Sequence, residues 1–255
     1  MGRPDSGLTA EIDPAVTRGD ARDDLMAQLD ALSTRLQQRP GDDAAHAQRA
    51  RALLALDRLQ EAEADAMDAV RLDPDEVRYR ELLAEVQSRR GEHADAAAEY
   101  ALLARRDPRQ VAWTVAEAAE RLDAAETEKG VEAARRAIRL EPANFDAQLA
   151  LARGLIRLGN AAGALPASRR AADLRPGDAA GRETVADALW LAQRDGPAFD
   201  EFRALAAVLS GPDRLRVLGK ARTVYRQHAG WLGRLVASRP WPFAVALRRG
   251  WMRVP

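Results

Sequence analysis

The sequence predicts an all-α fold built from repeated helical hairpins, and three observations carry that expectation. Pro40, Pro74, Pro108, Pro142 and Pro176 stand 34 residues apart. The same period aligns small residues, with Ala50, Ala84, Ala118, Ala152 and Ala186 in one column and Ala62, Ala96, Gly130, Ala164 and Ala198 in another. Aromatics make up only 5% of a chain rich in Ala and Leu, which suits helices packed through small side chains rather than sheets.

Proline cannot continue a helix, so each one closes a hairpin, and small residues on facing positions let two antiparallel helices of about a dozen residues approach closely. Two further columns keep the period: Ala69, Leu103, Ala137, Ala171 and Leu205, then Leu72, Arg106, Leu140, Leu174 and Val208. A lone hairpin cannot bury its apolar face, so each unit needs its neighbours.

In chain order, residues 1–20 carry Gly, Pro, Asp and Glu without an apolar run, so they are expected to be disordered and to hold no signal sequence. Residues 21–40 match the second helix of a hairpin, with Leu25, Met26, Leu29, Leu32 and Leu36 at helical spacing, and form an N-terminal cap. Full hairpins are expected at 43–76, 77–110, 111–144, 145–178 and 179–212. The last is degenerate, with Ser210 at the proline position and Pro212 two residues later. Residues 213–239 read as an amphipathic cap helix whose stripe of Leu218, Tyr225, Leu232 and Val236 should cover Phe199, Phe202 and Trp190. A basic, Trp-rich tail follows at 240–255.

These columns resemble the tetratricopeptide repeat (TPR). The match is fullest over Phe145–Asp178, where Leu151, Ala152, Leu155, Gly159, Ala164, Ala171, Leu174 and Pro176 fall in phase. Ser168 replaces the family's aromatic there, whereas Tyr100 and Phe202 supply it in the second and fifth copies. The resemblance implies a right-handed α-solenoid with N- and C-terminal cap helices. It also implies a concave groove lined by the first helix of each hairpin.

Carried over position by position, the groove residues are Ala44, Ala47, Arg51 and Leu54, then Arg78, Glu81, Glu85 and Ser88, then Ala112, Val115, Ala119 and Leu122. The fourth copy supplies Asp146, Leu149, Arg153 and Ile156, and the fifth supplies Ala180, Glu183, Asp187 and Trp190. The apolar members suit an amphipathic peptide or helix, although they serve equally well as packing between neighbouring helices. The Lys and Asn pair with which some relatives grip a chaperone's terminal carboxylate is absent, since Ala47 and Arg51 stand in those places.

Catalytic and metal chemistry find little support in the residues. The chain has no Cys, which removes thiolate nucleophiles and thiolate metal sites. His46, His93 and His228 fall in three different units, and Gly219-Lys220 lacks the upstream glycine and following Ser or Thr of a phosphate loop. Acidic pairs such as Glu81 and Glu85 read as solvated helix faces. No cofactor, catalytic residue, metal or small-molecule substrate is therefore expected.

Charge is uneven. The formal net charge is zero, yet residues 214–255 hold ten cations and no Asp or Glu, leaving −10 on residues 1–213. Among those cations stand Trp231, Trp241 and Trp251, with Arg248 and Arg249 close to the last two. Such a tail could meet an anionic membrane surface, an acidic partner or, less readily, nucleic acid, or fold back on its own acidic body. The resulting expectation is a cytoplasmic scaffold or adaptor that holds a peptide or helical segment of another protein. Two alternatives are a peripheral membrane adaptor anchored by the tail, and an accessory subunit of an envelope or polysaccharide biosynthesis enzyme.

Overall fold

The computed structural model describes residues 14–228, in which twelve helices and no strand occur. The chain divides into two compact units, residues 1–103 and 104–255. The first unit contains α1 (Pro14–Gln38), α2 (Asp43–Ala55), α3 (Leu59–Leu72), α4 (Val77–Arg90) and most of α5 (His93–Arg106). The second contains α6 (Val111–Asp123), α7 (Thr127–Leu140), α8 (Phe145–Arg157), α9 (Ala161–Leu174), α10 (Ala179–Leu191), α11 (Asp195–Val208) and α12 (Gly211–His228).

Each helix from α2 to α11 falls where the 34-residue period puts it. Asp42, Asn144 and Asp178 cap α2, α8 and α10 by accepting the backbone N–H of Ala45, Ala147 and Gly181. Every hairpin then turns through one left-handed residue at the same place in the repeat: Asp57, Gly91, Ala125, Gly159 and Gln193, with φ between 56° and 81°. Only two of the five are Gly, the residue that adopts this conformation at no steric cost.

The first alanine column is sealed between helices, and Ala50, Ala84, Ala118, Ala152 and Ala186 are all fully buried. Two glycines mark close helix approaches in the second unit. A Cβ on Gly130 would lie 2.8 Å from Leu122 Cδ2, and one on Gly154 would lie 2.4 Å from Val131 Cγ2. These two glycines open the slot into which Leu122 turns, leaving it 3% exposed.

The ends differ from expectation. The first helix begins at Pro14 rather than near residue 21, and proline's fixed φ and missing N–H suit a first helical position. The final helix begins at Gly211 rather than Asp213, because Gly211 turns the chain at φ 56° and Pro212 starts the helix directly. A link of only Leu209 and Ser210 joins α11 to α12, and the helix is rotated accordingly. It docks on the fifth hairpin as expected, but through Val217, Ala221 and Val224, which are fully buried with Phe199, Phe202 and Leu205. Leu218 and Tyr225 flank that stripe, and the Tyr225 ring centroid lies 5.6 Å from that of Phe199. Leu232, Val236 and the tail residues Trp241, Arg248, Arg249 and Trp251 lie outside the described residues.

Candidate functional site

The second unit carries a concavity lined by charged side chains. Three helices form it: α8 contributes Arg153, Ile156 and Arg157, α10 contributes Ala180, Glu183 and Asp187, and α12 contributes Arg216 and Lys220. The cavity has a volume of about 540 Å³. A second hollow of about 980 Å³ adjoins it, sharing Ile156, Asp187 and Lys220 and adding Trp190, Leu191 and Gln227. Ile156, Trp190 and Leu191 give the trough an apolar strip, and charged side chains rim it.

The electrostatics come from α12. Lys220 Nζ lies 2.7 and 2.8 Å from the two carboxylate oxygens of Asp187 and 2.8 Å from Glu183 Oε1. Arg216 donates to Glu183 and, at 3.3 Å, to Asp213. Burial pushes the Glu183 carboxyl up, but the hydrogen bonds and charges of Arg216 and Lys220 outweigh it and hold the group below its ordinary range. At Asp187 the balance reverses, because burial raises the carboxyl more than Lys220 lowers it. Farther along α12, Trp190 Nε1 donates to Gln227 Oε1 at 2.8 Å.

The groove residues expected from sequence thus divide. Glu183, Asp187 and Trp190 come together with Arg153 and Ile156 around this trough, with Arg153 exposed and making no ion pair among the described residues. Leu122 and Leu149 are buried in helix packing, and Val115 is half-buried. In the first unit, Arg78 is exposed and pairs with Glu76 at 3.0 Å, Glu81 is half-buried and Glu85 is exposed. Arg51 is exposed beside α1. Sequence reasoning missed Arg216 and Lys220 as counter-ions. They stand 33 residues after Glu183 and Asp187, nearly one repeat on, and that spacing was the available signal.

One other cluster gathers metal-ligating atoms among the described residues: His46, Asp65 and Asp68 in the first unit. Its chemistry disfavours a cation. Arg49 forks onto Asp65 with bonds of 2.6 and 2.7 Å, occupying both oxygens, while His46 Nδ1 approaches Asp65 at 3.0 Å and Nε2 approaches the Pro40 carbonyl at 3.2 Å. Gln148 repeats the last contact, donating to the Pro142 carbonyl at 3.2 Å, which marks the position as structural.

No protein-family model matches the sequence, and no curated protein does. Solved structures do. A tetratricopeptide repeat protein from Parabacteroides merdae superposes with a TM-score of 0.67 at 15% identity, over 83% of this chain and 87% of that one. The chain has the TPR fold. YrrB, a TPR protein with an unusual peptide-binding site, gives 0.58 at 15% identity, over 74% of this chain and 97% of YrrB. Yeast Tom70 gives 0.57 at 17% identity over 86% of this chain, which spans 46% of the Tom70 chain. In TPR terms the trough lies on the first-helix face of the fourth and fifth hairpins, and α12 stands where the first helix of a sixth would stand.

Proposed function

We propose that this chain is a protein-binding TPR scaffold, and that a peptide or short helix from a partner seats in the trough between α8, α10 and α12. The apolar strip of Ile156, Trp190 and Leu191 supports this reading, because it lies in a hollow of about 980 Å³, within the range of sites that bury a ligand's anchoring side chains. The carboxylates at the trough support binding over acid-base chemistry, since Glu183 and Asp187 are both engaged by cations of α12. Exposed Arg153 gives a bound segment an anchor for an acidic or carbonyl group.

Selection of a displayed random peptide library on the full chain tests the proposal. Enriched peptides should carry an apolar anchor and should lose at least about tenfold in affinity on Ile156→Glu, the loss of one well-buried apolar contact. If nothing is enriched, or if Ile156→Glu leaves binding unchanged, the trough is not the site.

A second reading rests on the tail, where Trp231, Trp241 and Trp251 stand among five Arg residues with no acid between 229 and 255. That pattern supports attachment to an anionic membrane surface. No helix among the described residues is long and apolar enough to cross a membrane. Equal sedimentation of the full chain with anionic and with neutral vesicles would rule the attachment out.

A further inference from the structure

The buried imidazole of His46 has an oxygen at each of its ring nitrogens. Nδ1 lies 3.0 Å from Asp65 Oδ1 on α3, and Nε2 lies 3.2 Å from the carbonyl oxygen of Pro40 in the turn between α1 and α2. Both oxygens are acceptors, since a carbonyl has no proton and the Asp65 carboxylate receives the Arg49 fork on both of its oxygens. A neutral imidazole has one N–H and can serve only one of them, whereas the imidazolium serves both.

The 34-residue period puts other residues at the same two places. Position 46 recurs as Arg80, Thr114, Gln148 and Arg182, and position 65 recurs as Glu99, Ala133, Ala167 and Glu201. Where the second helix offers an acid, the first helix answers with a cation, Arg80 to Glu99 and Arg182 to Glu201. Where it offers Ala, the first helix carries a neutral residue, Thr114 or Gln148. Gln148 makes the other contact, donating to the Pro142 carbonyl. His46 stands opposite an acid, in a cation's place, and also reaches the proline carbonyl, so it combines two roles that the later hairpins divide.

We propose that His46 is a proton-operated latch on the N-terminal helix. With two ring protons it ties the α1–α2 turn to α3. With one, the proton stays on Nδ1 against the stronger acceptor, the carboxylate, and the Nε2 lone pair opposes the Pro40 carbonyl and releases the turn. Around the ring stand Asp65 and Asp68 of α3, Arg49 bonded to Asp65 and to Ser33 of α1, and Arg71 paired with Asp68. Asp42 of the turn pairs with Arg35 of α1, and Asp43 accepts from Tyr79 of α4. Among these groups the imidazole is the one that ordinarily changes charge near neutral pH. The bond to Pro40 is therefore fully present below about pH 6.5, the ordinary imidazole value, and is lost as pH rises. Arg49 keeps its hold on Asp65 and Ser33, so alkali loosens the turn without unfolding the hairpin.

Thermal melting of the full chain between about pH 6 and 8.5 tests this, the range in which an imidazole titrates. His46→Gln supplies an uncharged donor on the pattern of Gln148, and His46→Arg a permanent cation on that of Arg80. The wild type should lose about 2 to 4 °C relative to either variant as pH rises, the shift that one hydrogen bond produces in a chain of this size. His93 and His228 are common to all three proteins and cancel in the difference. Nitrogen-15 spectra of the wild-type ring should show the proton leaving from Nε2, so that the neutral form is protonated on Nδ1. A neutral ring protonated on Nε2, or a wild-type profile parallel to those of both variants, would overturn the proposal. Should neither variant fold, the ring spectra decide alone.

Discussion

Lys220 Nζ on α12 lies 2.7 Å from Asp187 Oδ2 on α10, where burial has raised the carboxyl of Asp187. Replacing that ammonium with an apolar group of similar length, Lys220→Met, leaves a part-buried carboxylate without its partner. The variant should lose about 1 to 3 kcal/mol of stability, the cost of stranding a polar group. Asp187→Asn in the same background should restore part of it, as chemical denaturation would show. Equal stability of the single variant and the wild type would mean the pair is solvent-screened.

Acid should loosen α12 through Glu183 and not through Asp187. A depressed carboxyl contributes stability that is fully present above its ordinary value of 4.5 and is lost as pH falls through the folded value, which describes Glu183. A raised carboxyl does the opposite, so Asp187 loses stability as pH rises above its ordinary 3.8 and partly offsets Glu183 on acidification. Melting followed between about pH 6 and 3 should therefore show a flatter acid limb for Glu183→Gln and a steeper one for Asp187→Asn. The reverse order would refute the assignment.

Gly154→Ala tests a close helix approach in the second unit. Its new Cβ would fall 2.4 Å from Val131 Cγ2. Overpacking of this kind costs about 1 to 3 kcal/mol and outweighs the helix propensity gained, about 1 kcal/mol at most. The melting temperature should fall, and adding Val131→Ala should recover part of the loss. Recovery is the informative outcome, because simple helix destabilisation would make the second change additive.

Ala125 holds φ 61°, a left-handed conformation that costs an L-residue about 1 to 2 kcal/mol. Ala125→Gly removes that cost and adds about 0.5 to 1 kcal/mol of unfolded-state entropy, for a net gain of about 0.5 to 1 kcal/mol. Gly159→Ala, at φ 71° in the next hairpin, should destabilise. Thermal melting of the two variants in parallel should move in opposite directions.

Much of the fold was legible because its signals come from the backbone. Pro40, Pro74, Pro108, Pro142 and Pro176 each stand two residues past the end of a helix, and the column Ala50, Ala84, Ala118, Ala152 and Ala186 is small because it is fully buried between helices. The rotation of α12 was not legible, since it depends on a link of two residues where a longer one was expected. The groove was partly legible: Glu183, Asp187 and Trp190 reach the trough, but Leu122 turns inward because Gly130 and Gly154 leave it a slot. That inversion was written in the glycines, one of which interrupts the second small-residue column. Side chains from a different helix, Arg216 and Lys220, set the charge of the trough, and a column-by-column reading of one helix does not find them.

The cluster that holds α12 has a consequence for the order in which the second unit opens. Phe202, Leu205, Val217 and Val224 are among the largest fully buried side chains of the described residues, whereas the cluster joining α6 and α7 rests mainly on alanines, Ala118, Ala133 and Ala134. An array in which each hairpin touches only its neighbours ordinarily frays from its last element inward, because that element has one partner instead of two. Here the last described helix is held by both α10 and α11, and it buries Val217 and Val224 with Phe202 and Leu205, larger side chains than the alanines that fill most of the α6–α7 cluster. Transient opening of this unit therefore starts from within, and amide protons of α6 and α7 exchange with solvent sooner than those at the centre of α12.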